Sequence, residues 1–287
     1  MSRKIAVLGA GLMGHGIAQV AAQVAGYEVN LVDVEQKYLE KGIEAIRWSL
    51  DRFVNKGQLR KEDAEKVLKR IHPTTSYEDA CSDVELVIEA VPEDVEIKKS
   101  VWRKVDELAG KDTVFASNTS SISITLLASF TSRPEKFCGM HFFNPPQLMR
   151  LVEIIRGRLT SDETLEYAKK IASEMGKEYV TVNKDVAGFI VNRILVPALN
   201  EAVQLVYEGV ASPEDIDRAV KLGLNWPMGP IELLDYVGID TTLHILEVFQ
   251  RDFGDPRYRP SPLMLEMVRA GLYGRKSGRG FYKYDKR

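Results

Sequence analysis

The chain has 287 residues, 45% of them hydrophobic and 28% charged, with a formal net charge of -2 at pH 7. That composition excludes a disordered chain, and the length reaches the size at which single cores stop growing, so two domains are expected. The near-neutral balance gives no basic surplus for nucleic acid. No run approaches the ~18 apolar residues of a membrane span.

Only two cysteines occur, Cys81 and Cys138, without metal-ligand spacing, which predicts inert core thiols, no bound metal and a reducing, cytoplasmic compartment. Arg3 and Lys4 before an apolar run and AAQVA imitate a secretory signal, but His15 and regularly spaced glycines interrupt the run.

Lys4 to Leu8 is a short apolar β-forming run, followed by GAGLMGHG and an apolar, small-residue helix over Ile17 to Ala25. Glu28 to Val32 reads as the next strand and closes a βαβ unit. Asp33 ends that strand, 19 residues after Gly14, where a dinucleotide-binding unit places the carboxylate that holds the ribose hydroxyls. In this frame Gly9 makes the tight turn, Gly11 lets backbone amides reach a pyrophosphate, and Gly14 brings helix and strand together. The predicted nucleotide seat is therefore Gly9, Ala10, Gly11, Leu12, Met13 and Gly14. Asp33 favours NAD over NADP, because a carboxylate repels a 2′-phosphate.

Residues 36 to 71 interrupt the alternation with two helices, the first carrying Leu39, Ile43, Ile46, Leu50 and Phe53 at helical spacing. The segment reads as an inserted helical hairpin with its turn near Asn55 to Gln58. It holds ten Lys and Arg against six Asp and Glu, a surplus of four positive charges. That patch is either a solvated charged face or the seat of a phosphate-bearing ligand.

Strands resume at Leu86 to Ile88, Thr113 to Ala116, Phe137 to His141 and Leu151 to Ile155, with a helix over Val95 to Leu108. Their ends gather Glu89, Glu93, Ser117 to Ser121, His141 and Asn144, and ligands collect at strand ends in such sheets. His141 is either a general acid/base or a hydrogen-bonded structural residue. Glu153, alternating with Val152 and Ile154, is a carboxylate that needs a partner if buried. It pairs with His141, or else with Arg150 or Arg156 at the surface.

From Gly188 the pattern turns helical, giving a boundary near Asn183 and domains of 1–183 and 184–287. Pro197 inside the first long helix implies a kink or break. Ser212 and Pro213 start the next helix, Pro230 another, and two more cover Asp240 to Phe253 and Pro262 to Ala270. The apolar faces suggest a partner subunit, a homodimer through the helical domain, though a domain interface would use the same surface.

With these residues in place, the chain resembles the L-3-hydroxyacyl-CoA dehydrogenases, most of all their short-chain, 3-hydroxybutyryl-CoA type. The resemblance rests on VLGAGLMGHGIAQVAA, VIEAVPEDVEIK, FASNTSSISI, GMHFFNPP with LMRLVEII, GFIVNRILVPALNEA, PMGPIELLDYVGIDT and GRKSGRGFYKY. It implies an α/β Rossmann-type NAD-binding domain with the inserted hairpin, followed by an all-α domain for substrate and dimerisation. It further implies oxidation of a 3-hydroxyacyl-CoA, with His141 as catalytic base, Glu153 as its partner, and Ser120 and Asn192 on the substrate's oxygens. Asp33, Glu93, Lys98, Ser120, Asn144 and Lys276 correspond to cofactor-contacting positions. The hairpin corresponds to the part that contacts coenzyme A, with Ser49, Arg52 and Lys56 as neighbours of the contacting positions. Ala187 stands where a proline is common, and His15 where a small residue is. Two other readings of the same fold are a dehydrogenase of free sugar acids and a nucleotide-binding protein without catalysis.

Overall fold

The computed structural model describes residues 3–284. The chain divides into two compact units, Met1–Val186 and Ala187–Arg287.

The first unit is built on an eight-stranded sheet of order β3-β2-β1-β4-β5-β6-β7-β8. In chain order its elements are β1 (Lys4–Leu8), α1 (Leu12–Val20), β2 (Glu28–Val32), α2 (Gln36–Asn55), α3 (Lys61–Lys69), β3 (Ile71–Thr74), α4 (Tyr77–Cys81) and β4 (Leu86–Glu89). They continue with α5 (Val95–Leu108), β5 (Val114–Ser117), α6 (Ile124–Ala128), β6 (Phe137–Phe142), β7 (Leu151–Ile155), α7 (Asp162–Glu174) and β8 (Glu178–Val182). Neighbouring strands run parallel except β6 and β7, which pair antiparallel. The central strands are continuous apolar runs because helices cover the sheet on both faces. Ile5, Val7, Leu31, Leu86 and Ile88 are fully buried.

Two strands that the sequence does not announce lie at the sheet's edges. β3 reads IHPT and β8 reads EYVTV; the first holds a proline and the second is largely exposed. An edge strand tolerates both, since one of its sides has no ladder to complete. Trp102 of α5 packs edge-on to Phe137, with ring centroids 4.7 Å apart, and lies 5.2 Å from Phe115. Its fully buried ring anchors α5 to the sheet, and truncation to Ala costs about 3–5 kcal/mol. The inserted hairpin packs back onto the nucleotide loop: a Cβ on Gly42 of α2 would stand 2.8 Å from the Ala10 carbonyl oxygen.

The second unit consists of α8 (Val191–Tyr207), α9 (Pro213–Leu224), α10 (Pro230–Val237), α11 (Ile239–Phe253) and α12 (Pro262–Arg269). They enclose a core that includes Leu199, Val203, Ile231, Leu234, Leu246, Phe249 and Met264. Pro197 lies inside α8 and the helix runs through it, so of the two expected outcomes it is not a break. One backbone hydrogen bond is lost there, while Val196, Leu199 and Val203 stay buried on the same helix. Asp217 caps α10 by accepting from the amides of Ile231 and Glu232 at 2.7 and 3.0 Å, and Asp235 accepts from Phe281 N, Tyr282 N and Tyr284 Oη. These two buried carboxylates tie the GRGFYKY segment to the helices.

Candidate active site

The parallel strands deliver their C-terminal ends to one edge of the sheet, and β1 ends there in the glycine loop. Gly9 has φ +94°, a conformation that side chains rarely adopt, and a Cβ there would lie 2.6 Å from the Ala90 carbonyl oxygen. A Cβ on Gly14 would collide with the Gly9 carbonyl oxygen, so Gly14 is required by the packing of α1 on β1. Gly11 is different: its φ is ordinary at -68°, and a Cβ would meet no atom within 4 Å. Nothing among the described residues demands that glycine.

No side chain caps α1 at Gly11, and its first turn carries no acidic residue, leaving the helix N-terminus with amide donors and partial positive charge. A bare approach beside an uncapped helix start fits a pyrophosphate. Asp33 accepts from the Ala10 amide at 2.7 Å and from the Val34 amide at 2.7 Å, which fixes its carboxylate beside the loop. Leu12 is 65% exposed, while Met13 packs against the core. His15 donates from Nδ1 to the Gly11 carbonyl at 2.8 Å, and burial holds its pKa below the usual imidazole value, so the ring is neutral at pH 7. These residues suit an NAD: the loop would take the diphosphate and Asp33 the ribose.

The chemistry-bearing group stands at the antiparallel step. His141 on β6 is the direct cross-strand partner of Glu153 on β7. The Glu153 side chain is fully buried and accepts from His141 Nδ1 at 2.7 Å, while His141 Nε2 lies 3.0 Å from Ser120 Oγ. A buried carboxylate only accepts, so the neutral ring carries its proton on Nδ1 and presents a lone pair on Nε2. The Nε2 side is where a hydroxyl proton could be taken, and Glu153 is placed to stabilise an imidazolium formed there. The surface alternatives for Glu153 are filled otherwise: Arg150 reaches Glu178 and Arg156 reaches Asp162. Asn118 Oδ1 accepts from Phe142 N at 2.8 Å and binds the loop after β5 to β6.

Ser120 sits in a loop gathered by one carboxylate. Glu93 Oε1 accepts from Thr119 Oγ1 at 2.6 Å and from Ser120 N, Ser121 N and Ser121 Oγ, each at 3.0 Å. Burial pushes the Glu93 carboxyl up, but the Lys98 ammonium and these donors outweigh it and hold the group below its ordinary value. Lys98 is only 1% exposed, and its Nζ meets Glu89 Oε1 at 2.5 Å, Glu93 Oε2 at 3.3 Å and the Val91 carbonyl at 3.3 Å.

Asn144 is exposed in the β6–β7 connection. On the hairpin, Arg52 is exposed and stacks 4.8 Å over Trp48, and Lys56 is exposed at the end of α2, whereas Ser49 is buried and accepts from Gln147 Nε2 at 3.4 Å. Asn192 and Lys276 lie in the second unit: Asn192 is half-buried near the start of α8, and Lys276 Nζ is 2.6 Å from Asp240 Oδ2. Two residues without a sequence signal also shape the first unit's site. Lys177 donates to the carbonyls of Pro146 and Met149 at 2.5 and 2.8 Å, clamping the β6–β7 connection, and Asp185 accepts from Ser123 Oγ, Ile124 N and Thr125 N at the start of α6. Backbone partners leave no trace in residue spacing.

Comparison with known proteins agrees with this geometry. Residues 4–186 match the model of the 3-hydroxyacyl-CoA dehydrogenase NAD binding domain, and residues 188–284 match that of the 3-hydroxyacyl-CoA dehydrogenase C-terminal domain. A probable 3-hydroxybutyryl-CoA dehydrogenase of Deinococcus radiodurans is 51% identical over 98% of this chain and 100% of its own. The human mitochondrial hydroxyacyl-coenzyme A dehydrogenase is 43% identical over 98% and 91%. The crystal structure of (S)-3-hydroxybutyryl-CoA dehydrogenase from Ralstonia eutropha superposes with a TM-score of 0.95 at 47% identity, covering all of both chains. With family models that span both units and full-length relatives near half identical, the chain belongs to the 3-hydroxyacyl-CoA dehydrogenase family of NAD-binding oxidoreductases.

Proposed function

We propose that the chain interconverts (S)-3-hydroxybutyryl-CoA and acetoacetyl-CoA, with His141 as general acid/base. The observation that carries this reading is the continuous hydrogen-bonded line from Ser120 Oγ through the His141 ring to Glu153. NAD, when bound, supplies the acceptor for the hydride that leaves carbon 3. His141 Nε2 takes the hydroxyl proton, Glu153 stabilises the imidazolium, and the Ser120 hydroxyl orients the oxygen on which charge changes. In reduction the imidazolium returns its proton to the ketone oxygen.

The nucleotide seat consists of the loop from Gly9 to Gly14 with Asp33, and Asn144 is a further cofactor contact. Arg52 and Lys56, exposed on the positive hairpin, are the groups that meet the coenzyme A phosphates. Ser49, 5% exposed, accepts from Gln147 Nε2 beside them. The second unit is the dimerisation surface: Ile194, Val210, Leu222 and Leu224 are 69%, 63%, 76% and 65% exposed, and a second copy is the partner that would cover them. Among the described residues no helix is long and apolar enough to cross a membrane. The buried free thiols of Cys81 and Cys138 and the bacterial relatives support a cytoplasmic enzyme.

The test is NADH oxidation by the purified protein with acetoacetyl-CoA, with uncoupled acetoacetate and sugar-derived keto acids, and with NADPH in place of NADH. Turnover that requires both the coenzyme A thioester and NADH supports the reading. Faster turnover of an uncoupled keto acid overturns it.

A further inference from the structure

We propose that Asn118 is a positioning residue for proton transfer: its side-chain oxygen stands in for the strand that β5 no longer supplies beside β6, and so sets the separation of Ser120 Oγ and His141 Nε2. The inference rests on the reading of those two groups as the pair that meets the reacting oxygen.

Register explains why a substitute is needed. β5 stops at Ser117, opposite Gly139, whereas β6 continues to Phe142 with β7 beside it. The Phe142 amide turns to the side that β5 has left, and it donates to Asn118 Oδ1 at 2.8 Å. Phe142 is 2% exposed, so without that oxygen its N–H would have neither a strand nor water to bond. Asn118 is itself held in place. It is buried, and its own amide donates to the Glu89 carbonyl at the end of β4 at 2.8 Å. One residue thereby ties β4 to β6 across the end of β5.

The tie lies between the two groups whose spacing matters. Ser120 follows Asn118 by two residues, and His141 immediately precedes Phe142. The imidazole's two nitrogens depend on it unequally. Glu153 is the cross-strand partner of His141, so the β6–β7 ladder holds Nδ1 against the carboxylate. Nε2 instead meets a hydroxyl from a loop beyond the β5 ladder. Phe143, on the far side of the pinned amide, packs its ring 4.6 Å from the imidazole centroid. Glu93 holds the loop's own fold by accepting from Ser120 N at 3.0 Å, whereas Asn118 fixes where that loop stands against β6. Truncation of Asn118 therefore opens the contact between hydroxyl and imidazole and leaves the one to Glu153 in place. Small displacements of reacting groups are costly in rate.

A double-mutant cycle tests this with Asn118→Ala, Ser120→Ala and the double variant, beside Asn118→Asp. Each is read as kcat, KM for acetoacetyl-CoA, Kd for NADH by fluorescence, and melting temperature. Asn118→Ala is expected to lower kcat about tenfold with Kd for NADH within about twofold of the parent, and to cost less than about twofold when Ser120 is already alanine. Asn118→Asp keeps an oxygen facing the Phe142 amide and should lose no more than about threefold. Equal losses from Asn118→Ala in both backgrounds overturn the proposal, as does a loss in Asn118→Asp as large as that in Asn118→Ala. A weakened NADH affinity at unchanged kcat overturns it too. If Ser120→Ala alone leaves kcat unchanged, the reading of Ser120 itself fails, and the proposal fails with it. Should a variant not fold, Asn118→Gln takes its place, carrying the same amide one methylene further out. It is expected to lower kcat about fivefold where Ser120 is present and less than about twofold where it is not; equal losses overturn the proposal.

Discussion

His141 and Glu153 face each other across the one antiparallel step of the sheet, with Nδ1 2.7 Å from the carboxylate. Side chains alternate between the two faces of a strand, so a slip of one residue in the β6–β7 register would place them on opposite faces. The pairing is therefore a property of strand register as much as of residue type. Glu153→Gln keeps the volume and removes the negative charge that holds the ring's proton on Nδ1. Its kcat is expected to fall on the order of 100-fold at unchanged NADH affinity. Steady-state assay together with fluorescence titration checks it; an unchanged kcat would remove Glu153 from the mechanism.

The glycine loop makes a contrast between two substitutions of equal size. At Gly11 a Cβ meets nothing within 4 Å and the backbone is ordinary, so Gly11→Ala should fold with native or slightly raised stability while NADH binding weakens roughly 10–100-fold. At Gly14 the Cβ would fall on the Gly9 carbonyl, so Gly14→Ala should lose about 3 kcal/mol of stability. Thermal melts and NADH titrations of the two variants separate the roles. Full NADH affinity in Gly11→Ala would deny the loop its ligand.

Acid should weaken the protein partly through Glu93. Its carboxyl is held below its ordinary value of 4.5 in the folded state, so the unfolded chain takes up a proton first as pH falls. The contribution is fully present above pH 4.5 and is lost as pH falls through the lower folded value. Glu93→Gln should therefore show a shallower decline of melting temperature between about pH 6 and 3 than the parent. Parallel curves for the two proteins would show that Glu93 is not stabilised in its charged form.

Much of this was legible in the residues themselves. A carboxylate set among Val152 and Ile154 asks for a partner, and the glycine spacing with Asp33 asks for a nucleotide; both signals are local in sequence. The central strands were readable as apolar runs, whereas β3 and β8 were not, because an edge strand needs neither continuous apolarity nor a full set of amides. Ser49 and Lys98 show the other limit. A polar residue at a plausible position can be turned inward, and only packing tells that the Lys98 ammonium lies beside Glu89 and Glu93. Pro197, where a kink or a break was expected, does not break the helix: α8 continues through it with Val196, Leu199 and Val203 buried.

The central claim is that one imidazole moves the proton while the nucleotide is held elsewhere. The most direct test is single-turnover oxidation of bound NADH by acetoacetyl-CoA in His141→Gln beside the parent protein. The account predicts a rate lower by roughly 100-fold or more with Kd for NADH nearly unchanged; a rate equal to the parent's would contradict it.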